Sequence, residues 1–132
     1  MTKQDLKDYQ RMNIELKRLE DKKAELRNKA VSLKSSIISD MPKGGERKNF
    51  TDYLDELVEL QDFYDMRAKE ITKKQNRIEH IISLLDDPIE RAILSYRYTD
   101  DIPFEEICVK INYSWRQTHR IHSNALKNIA II

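Results

Sequence analysis

Apolar residues recur at alternating intervals of three and four along two long stretches of the chain. The first comprises Tyr9, Met12, Leu16, Leu19, Lys23, Leu26, Ala30, Leu33 and Ile37, and the second Phe50, Tyr53, Leu57, Leu60, Tyr64, Arg67, Ile71, Lys74, Ile78, Ile81 and Leu85. This spacing is typical of amphipathic helices that pack side by side. Pro42 and the two glycines that follow it indicate a turn, and a loop of about eight residues predicts an antiparallel helical hairpin. Thr51 or Asn49 is expected to cap the second helix.

Three polar residues interrupt these stripes, namely Lys23, Arg67 and Lys74. One interpretation is that they fix the register of the helices or the choice of partner. The other is that they are surface positions, because apolar stripes tolerate polar gaps. The pattern leaves both open.

After Leu85 the pattern changes to shorter segments. Asp87 is a favourable N-cap and Pro88 suits a first helical position, which predicts a helix that ends before Asp100. Pro103 is expected to start a second short helix, and Asn112 to end it in a left-handed turn. Ser114 then caps a last helix. The predicted inner positions of these helices are Ile89, Ala92, Ile93 and Tyr96, then Phe104, Ile107, Cys108 and Ile111, then Thr118, Ile121, Ala125, Leu126 and Ile129.

These segments predict an all-α fold with two domains. Residues 1–85 would form the helical hairpin, for oligomerisation or partner binding, and residues 86–132 a trihelical helix-turn-helix domain. The chain has only 2 Gly and 3 Pro, so interruptions to helix are few. Its single Cys108 excludes an internal disulfide, and no apolar run is long enough to span a membrane. A cytoplasmic, reduced setting is therefore expected.

Charge is distributed unevenly along a chain whose net charge is only +1. Residues 1–40 are net positive and residues 50–87 net negative, which favours packing of the two long helices against each other. Between Asn112 and the end of the chain no acidic residue occurs. Acidic side chains on that last helix would repel phosphates, so their absence indicates a surface that meets nucleic acid.

The outward positions of the last helix are the candidate DNA-binding residues. They are Ser114, Trp115, Arg116, Gln117, His119, Arg120 and Lys127. Arginine reads guanine through two hydrogen bonds, and Gln117 is expected to read adenine. Ser114 and Lys127 suit phosphate contacts. Trp115 has a second interpretation, as a residue that packs against the preceding turn.

Several neighbouring side chains also carry predictions. His122 is expected to be exposed, and Tyr96 and Tyr98 to be a core and a surface residue respectively. Arg91 and Arg97 are candidates to flank DNA, although Arg97 is equally suited to an ion pair with a glutamate of the next helix.

The stretch from Leu85 to Ile129 resembles region 4 of bacterial sigma factors. The matching residues are DPIERAILSYRY, FEEICVKIN and the frame S-x-x-x-T-x-x-I-x-x-x-AL-x-x-I. The whole chain also resembles small phage and prophage late-gene regulators of the ArpU/RinA type. These resemblances imply a sequence-specific transcription regulator that binds double-stranded DNA in the bacterial cytoplasm, as an oligomer, with a dimer favoured. RNA polymerase is a further candidate partner.

Two other functions remain open. A phage terminase small subunit also joins a helix-turn-helix to oligomerising helices and would form a ring. An adaptor would bind RNA polymerase without touching DNA. The sequence contains no Gly-rich phosphate loop and no nucleophile motif, so we expect no enzyme, no cofactor and no metal site.

Overall fold

The computed structural model describes residues 1–39 and 49–132, apart from the side chains of residues 34–39. Five α-helices occur there, and no strand. They are α1 (Lys3–Ser39), α2 (Phe50–Ser83), α3 (Pro88–Leu94), α4 (Phe104–Ile111) and α5 (Trp115–Ile131), with a π-helical turn at Ser95–Thr99 directly after α3. The prediction of an all-α fold is confirmed. The predicted inner position of Ile37 and the turn predicted around Pro42 lie outside the described residues and side chains.

The chain divides into two compact units, and the division falls within the two long helices. One unit, here called the terminal unit, contains Met1–Asn13 and Glu70–Ile132, and the other, the hairpin unit, contains Ile14–Lys69. The boundary predicted from the sequence lies instead after residue 85. The start of α1 and the end of α2 thus belong with the three short helices, because their apolar side chains are buried there.

Within the hairpin unit, α1 and α2 contact each other in antiparallel order. The Lys23 ammonium lies 4.0 Å from the centre of the Tyr64 ring, and Arg67 lies 3.6 Å from the Glu15 carboxylate. The later residue of α1, Lys23, thus meets the earlier residue of α2, Tyr64, as expected for antiparallel helices. Two of the polar interruptions make contacts between the helices, whereas Lys74 is exposed and is a surface position.

The beginning of α2 is fixed by a reciprocal cap. The Asn49 side chain accepts a hydrogen bond from the Asp52 amide at 2.9 Å, and the Asp52 carboxylate accepts one from the Asn49 amide at 3.1 Å. Each bond satisfies an amide that has no partner in the first turn of a helix. Of the two caps predicted, Asn49 is the one observed.

The terminal unit has a core drawn from both ends of the sequence. The fully buried side chains include Leu6, Ile93, Leu94, Ile107, Ala125 and Ile129, and the nearly buried ones Tyr9, Ile78, Ile82, Leu85 and Tyr98. Helix α5 packs against α3 and α4. The apolar stripe of α1 thus begins at Leu6, one turn before the position predicted. On α2 the more buried isoleucine is Ile82, not Ile81.

The short helices begin and end as their sequences indicate. Asp87 caps α3 through a 2.8 Å bond from the Ile89 amide, with Pro88 in the first turn. Arg91 donates to the Asp86 carbonyl at 3.1 Å and to the carbonyl of Leu85, both in the linker between α2 and α3. Arg91 is therefore engaged in joining α2 to α3.

No helix in the described ranges is long and apolar enough to cross a membrane.

Candidate nucleic-acid interface

The turn between α4 and α5 sets the direction of the last helix. Asn112 adopts a left-handed conformation, with φ 57° and ψ 44°, and its amide donates to the carbonyls of Cys108 and Val109. Asparagine tolerates this conformation better than residues with larger side chains. Only Tyr113 and Ser114 separate it from the first residue of α5, so the connection is tight.

A capping box holds the first turn of α5. The Gln117 amide donates to the Ser114 hydroxyl at 3.2 Å, and the Ser114 amide donates to Gln117 Oε1 at 3.2 Å. The Ser114 hydroxyl also lies 3.1 Å from Gln117 Oε1. Gln117 is exposed, but its carbonyl oxygen is already bonded within the cap. A glutamine reads adenine with both its oxygen and its nitrogen, so base reading by Gln117 requires the cap to open.

The outer face of α5 presents three basic side chains in a row. Arg116, Arg120 and Lys127 are all exposed. They are separated by four and seven residues, about one and two helical turns, and so lie on one face over about 16 Å of helix. The structure therefore brings these three predicted residues together on one surface.

Trp115 and His119 lie beside this face and pack together. Trp115 is 51% exposed, and its ring centre lies 4.3 Å from that of His119. The Phe104 ring lies 4.3 Å from His119 and 6.2 Å, edge to face, from Trp115. His119 is half-buried, not freely exposed as predicted. Trp115 packs against Phe104 of α4 and His119 of α5 while half of it meets solvent, and its contact with DNA stays a prediction.

The opposite face of α5 packs into the core and includes two buried polar residues, Thr118 and His122. Thr118 is fully buried, and its hydroxyl accepts a hydrogen bond from the Cys108 thiol at 3.3 Å. This partner on α4 explains how a hydroxyl is accommodated in the buried stripe, because buried polar groups require hydrogen bonds. Cys108 is thus half-buried and helps to join α4 to α5.

The predictions for His122 and Tyr98 are wrong, because both side chains are buried. Their exposures are 8% and 4%, and the Tyr98 hydroxyl is hydrogen-bonded to His122 Nε2 at 2.8 Å. The predicted inner face of this segment ran through Ile89, Ala92 and Tyr96, whereas the buried residues include Glu90, Leu94 and Tyr98, at intervals of four. Tyr96 is half-buried, and the segment ends in the π-helical turn, where the Asp100 amide donates to the Ser95 carbonyl at 3.0 Å.

Burial changes the proton affinity of this pair. Loss of solvent is the main reason that the pKa of His122 falls from its ordinary 6.5 to about 4, with a smaller contribution from nearby positive charges, first that of Lys3. Burial also raises the pKa of the Tyr98 hydroxyl. At neutral pH both groups are uncharged, so their hydrogen bond joins two neutral side chains.

A second polar contact joins α5 to α3. The Asn128 side-chain amide donates to both carboxylate oxygens of Glu90, at 3.0 and 3.1 Å. Glu90 is only 8% exposed, although it lies in the first turn of α3. The sequence analysis did not identify this pair, because nothing in the spacing of the two residues indicates that their helices meet.

Arg97 packs over an aromatic ring instead of forming the predicted ion pair. Its guanidinium lies 4.8 Å from the centre of the Phe104 ring, and Nη1 donates to the Ile102 carbonyl at 3.4 Å. The side chain is thereby held at the edge of α4. Within the described part of the chain, the bond from Nη1 to Ile102 is the one hydrogen bond that the guanidinium donates.

Comparison with known proteins identifies a family and no individual relative. No curated protein and no solved structure matches the chain. The model of a family described as "protein of unknown function (DUF1492)" matches residues 31–130, about three quarters of the chain. The match includes part of the hairpin unit and all of the face that carries Arg116, Arg120 and Lys127. The chain therefore belongs to the DUF1492 family, whose function is unknown.

Proposed function

We propose that this protein is a sequence-specific DNA-binding transcription regulator whose helix α5 enters the major groove. The observation that carries the proposal is the exposed row of Arg116, Arg120 and Lys127 on a stretch that contains no acidic residue. A B-DNA major groove admits one α-helix, and arginine side chains bind guanine through two parallel hydrogen bonds. Helices α4 and α5 with the turn at Asn112 would act as a helix-turn-helix.

The start of α5 has the geometry that such reading needs. The N-terminal part of a recognition helix faces the bases, and here that part carries Arg116 and Arg120. Its position is fixed by the capping box and by the packing of Trp115 and His119 on Phe104. A helix that is held in place loses little freedom on binding, which favours affinity.

The long helices would supply a partner surface. A single helix in one groove contacts few base pairs, so tight and specific binding favours two copies on neighbouring half-sites, about 34 Å apart or a multiple of that distance. In this proposal α1 and α2 pair two chains or contact RNA polymerase. The resemblance to ArpU/RinA-type regulators and to sigma region 4 supports a role in phage or prophage gene expression in the bacterial cytoplasm.

Selection of binding sites from a random duplex library, at a stated salt concentration, tests the proposal. The wild type is compared with Arg116→Ala/Arg120→Ala and with Arg18→Ala/Arg27→Ala, which removes two exposed arginines from the hairpin unit. We expect one sequence motif for the wild type and the control, and none for the α5 variant. A motif that recurs at a fixed spacing gives the number of bound copies.

Other results would redirect the function. If no sequence is enriched with the wild type, the regulator proposal is wrong and an adaptor that binds polymerase is favoured. A motif bound by a ring of many copies would favour a role in DNA packaging.

A further inference from the structure

A basic cavity lies in the terminal unit beside the outer face of α5. Its volume is about 340 Å³. Side chains from α1, the π-helical turn, α4 and α5 line it, among them Lys3, Lys7, Arg97, His119, His122 and Ser123. None of the residues that line it in the described structure is acidic.

The three cations at this cavity have no ion-pair partner among the described residues. Within the described part of the chain, no carboxylate lies within ion-pair distance of Lys3, Lys7 or Arg97. Like charges at one cavity repel unless an anion lies between them. Burial is the main reason that the pKa of His122 in the cavity wall is lowered, and the positive charges of Lys3 and Arg97 lower it further.

A buried polar atom points to the same kind of ligand. His119 lines the cavity, and its Nε2 atom is buried with no hydrogen-bond partner in the described structure. Buried nitrogen atoms nearly always have a partner, either protein, water or ligand. An oxygen atom of a bound anion would satisfy a protonated Nε2.

The wall of the cavity is held in place before any ligand binds. Arg97 is stacked on Phe104, and its backbone carbonyl accepts a hydrogen bond from the Gln10 side chain at 3.3 Å. Gln10 lies on the same face of α1 as Lys3 and Lys7, at intervals of four and three residues. This bond keeps the lysine-bearing face of α1 next to the π-helical turn.

The cavity is continuous with the basic row on α5. Ser123 lines the cavity and lies one helical turn from both Arg120 and Lys127. When a helix lies in a groove, the sugar–phosphate strands run along its flanks. A phosphate beside α5 would therefore meet the cavity.

We propose that this cavity binds a phosphate group of the DNA backbone that flanks the groove occupied by α5. Lys3 and Lys7 supply mobile charges, Arg97 supplies a fixed fork of N–H donors, and His119 and Ser123 complete the hydrogen bonds. The first helix of the chain would thus take part in DNA binding. This inference rests on the proposed function.

The salt dependence of DNA binding tests it. The affinity for a selected duplex is measured against KCl concentration for the wild type, Lys3→Gln/Lys7→Gln and Lys17→Gln/Lys69→Gln, all four lysines being exposed. Each lysine that neutralises a phosphate contributes about 1 to the slope of log affinity against log salt. Because the cavity holds one phosphate, we expect the cavity variant to lose about 1 from that slope and to keep the preferred sequence. The inference is overturned if its slope equals that of the control.

A second measurement examines the cavity without DNA. Inorganic phosphate is titrated at constant ionic strength, and the ring carbon–proton NMR signals of His119 and His122 are followed, with the exposed His80 as the internal control. Saturable shifts of His119 and His122 that disappear in Lys3→Gln/Lys7→Gln support a phosphate site. Their absence in the wild type overturns the site even if α5 binds DNA. If phosphate binds but no duplex does, the assignment to backbone phosphate is overturned and the ligand is a free phosphorylated molecule.

Discussion

At the scale of single residues, the burial of His122 beside Tyr98 makes the free energy of unfolding depend on pH. A buried imidazole keeps its neutral form, and the pKa of His122 is accordingly about 4 in the folded protein against an ordinary 6.5. Between these two values the unfolded chain binds a proton that the folded chain does not. The contribution of His122 to stability is therefore complete above about pH 6.5 and is lost as the pH falls toward 4.

Replacement of this histidine should flatten that dependence. We expect the free energy of unfolding of wild type to fall more steeply between pH 6.5 and 4 than that of His122→Gln, which carries no titrating group there. Urea unfolding at several pH values measures the difference. His80→Gln removes an exposed histidine and is expected to behave as the wild type. Parallel curves for wild type and His122→Gln would contradict the assignment.

The hydrogen bonds between Asn128 and Glu90 are a second contact of single residues that is expected to stabilise the fold. In Asn128→Ala the nearly buried carboxylate of Glu90 loses both hydrogen bonds from the amide. Because hydrogen bonds to charged groups contribute about 1.5–3 kcal/mol and Asn128 is itself exposed, we expect a loss near the lower end of that range. Chemical denaturation measures it. Asn124→Ala, one turn earlier on the exposed side of α5, should change the stability little.

At the scale of elements, the helix caps could be predicted from the sequence, whereas the packing of the helices could not. Asp87, Asn112 and Ser114 act through neighbours within four residues, so their local sequence predicts them. The π-helical turn follows no such rule, because the segment through Tyr98 also fits an ordinary helical period. Tyr98 was placed on the surface because the predicted inner face ran through Ile89, Ala92 and Tyr96, whereas Glu90, Leu94 and Tyr98 are among the buried residues. The burial of His122 depends on contacts with Tyr98 and Phe104, which lie on other segments of the chain.

The candidate site shows the same limit. The row of Arg116, Arg120 and Lys127 was predicted from charge and helical period, both of which are local. The engagement of Gln117 in the capping box was also available from its position three residues after Ser114. By contrast, the stacking of Arg97 on Phe104 and the approach of α1 depend on contacts between distant segments, and no local pattern indicates them.

The capping box leads to an element-scale prediction. Ser114→Ala removes the hydroxyl that accepts from the Gln117 amide and should destabilise the protein by about 1 kcal/mol. Ser123→Ala, in the middle of the same helix, should be neutral or slightly stabilising, because alanine is the better helix former. The two variants are compared by urea unfolding followed by circular dichroism. Equal stabilities would show that the cap contributes nothing measurable.

At the scale of the whole molecule, the terminal unit is assembled from segments far apart in the sequence. Leu6 has no exposed surface, and Tyr9 is only 2% exposed. The sequence analysis grouped them with the hairpin, because helical periodicity shows which face of a helix is buried but not which residues bury it. The division at Asn13 and Glu70 is therefore a property of tertiary packing.

Truncation of Leu6 should consequently affect the unit that contains α5. Leu→Ala replacements in cores cost about 2–5 kcal/mol, and we expect Leu6→Ala to fall within that range. Leu54→Ala, at a position that is 40% exposed, should cost much less. Thermal unfolding compares the two, and hydrogen exchange of α5 amides shows where the loss is felt. If the α5 amides are equally protected from exchange in Leu6→Ala and in the wild type, the packing of Leu6 does not stabilise α5 and the prediction is wrong.

This arrangement also constrains the order in which the protein can form during synthesis. Residues 1–13 leave the ribosome before the segments that enclose them, which begin at residue 70. The intervening helices can close on each other as soon as residue 69 has emerged, since their contacts are complete without the rest. The leading turns of α1 must meanwhile keep Leu6 and Tyr9 in contact with water or with a chaperone. The outer face of α5 therefore belongs to a unit that cannot be completed until α5 itself has been synthesised.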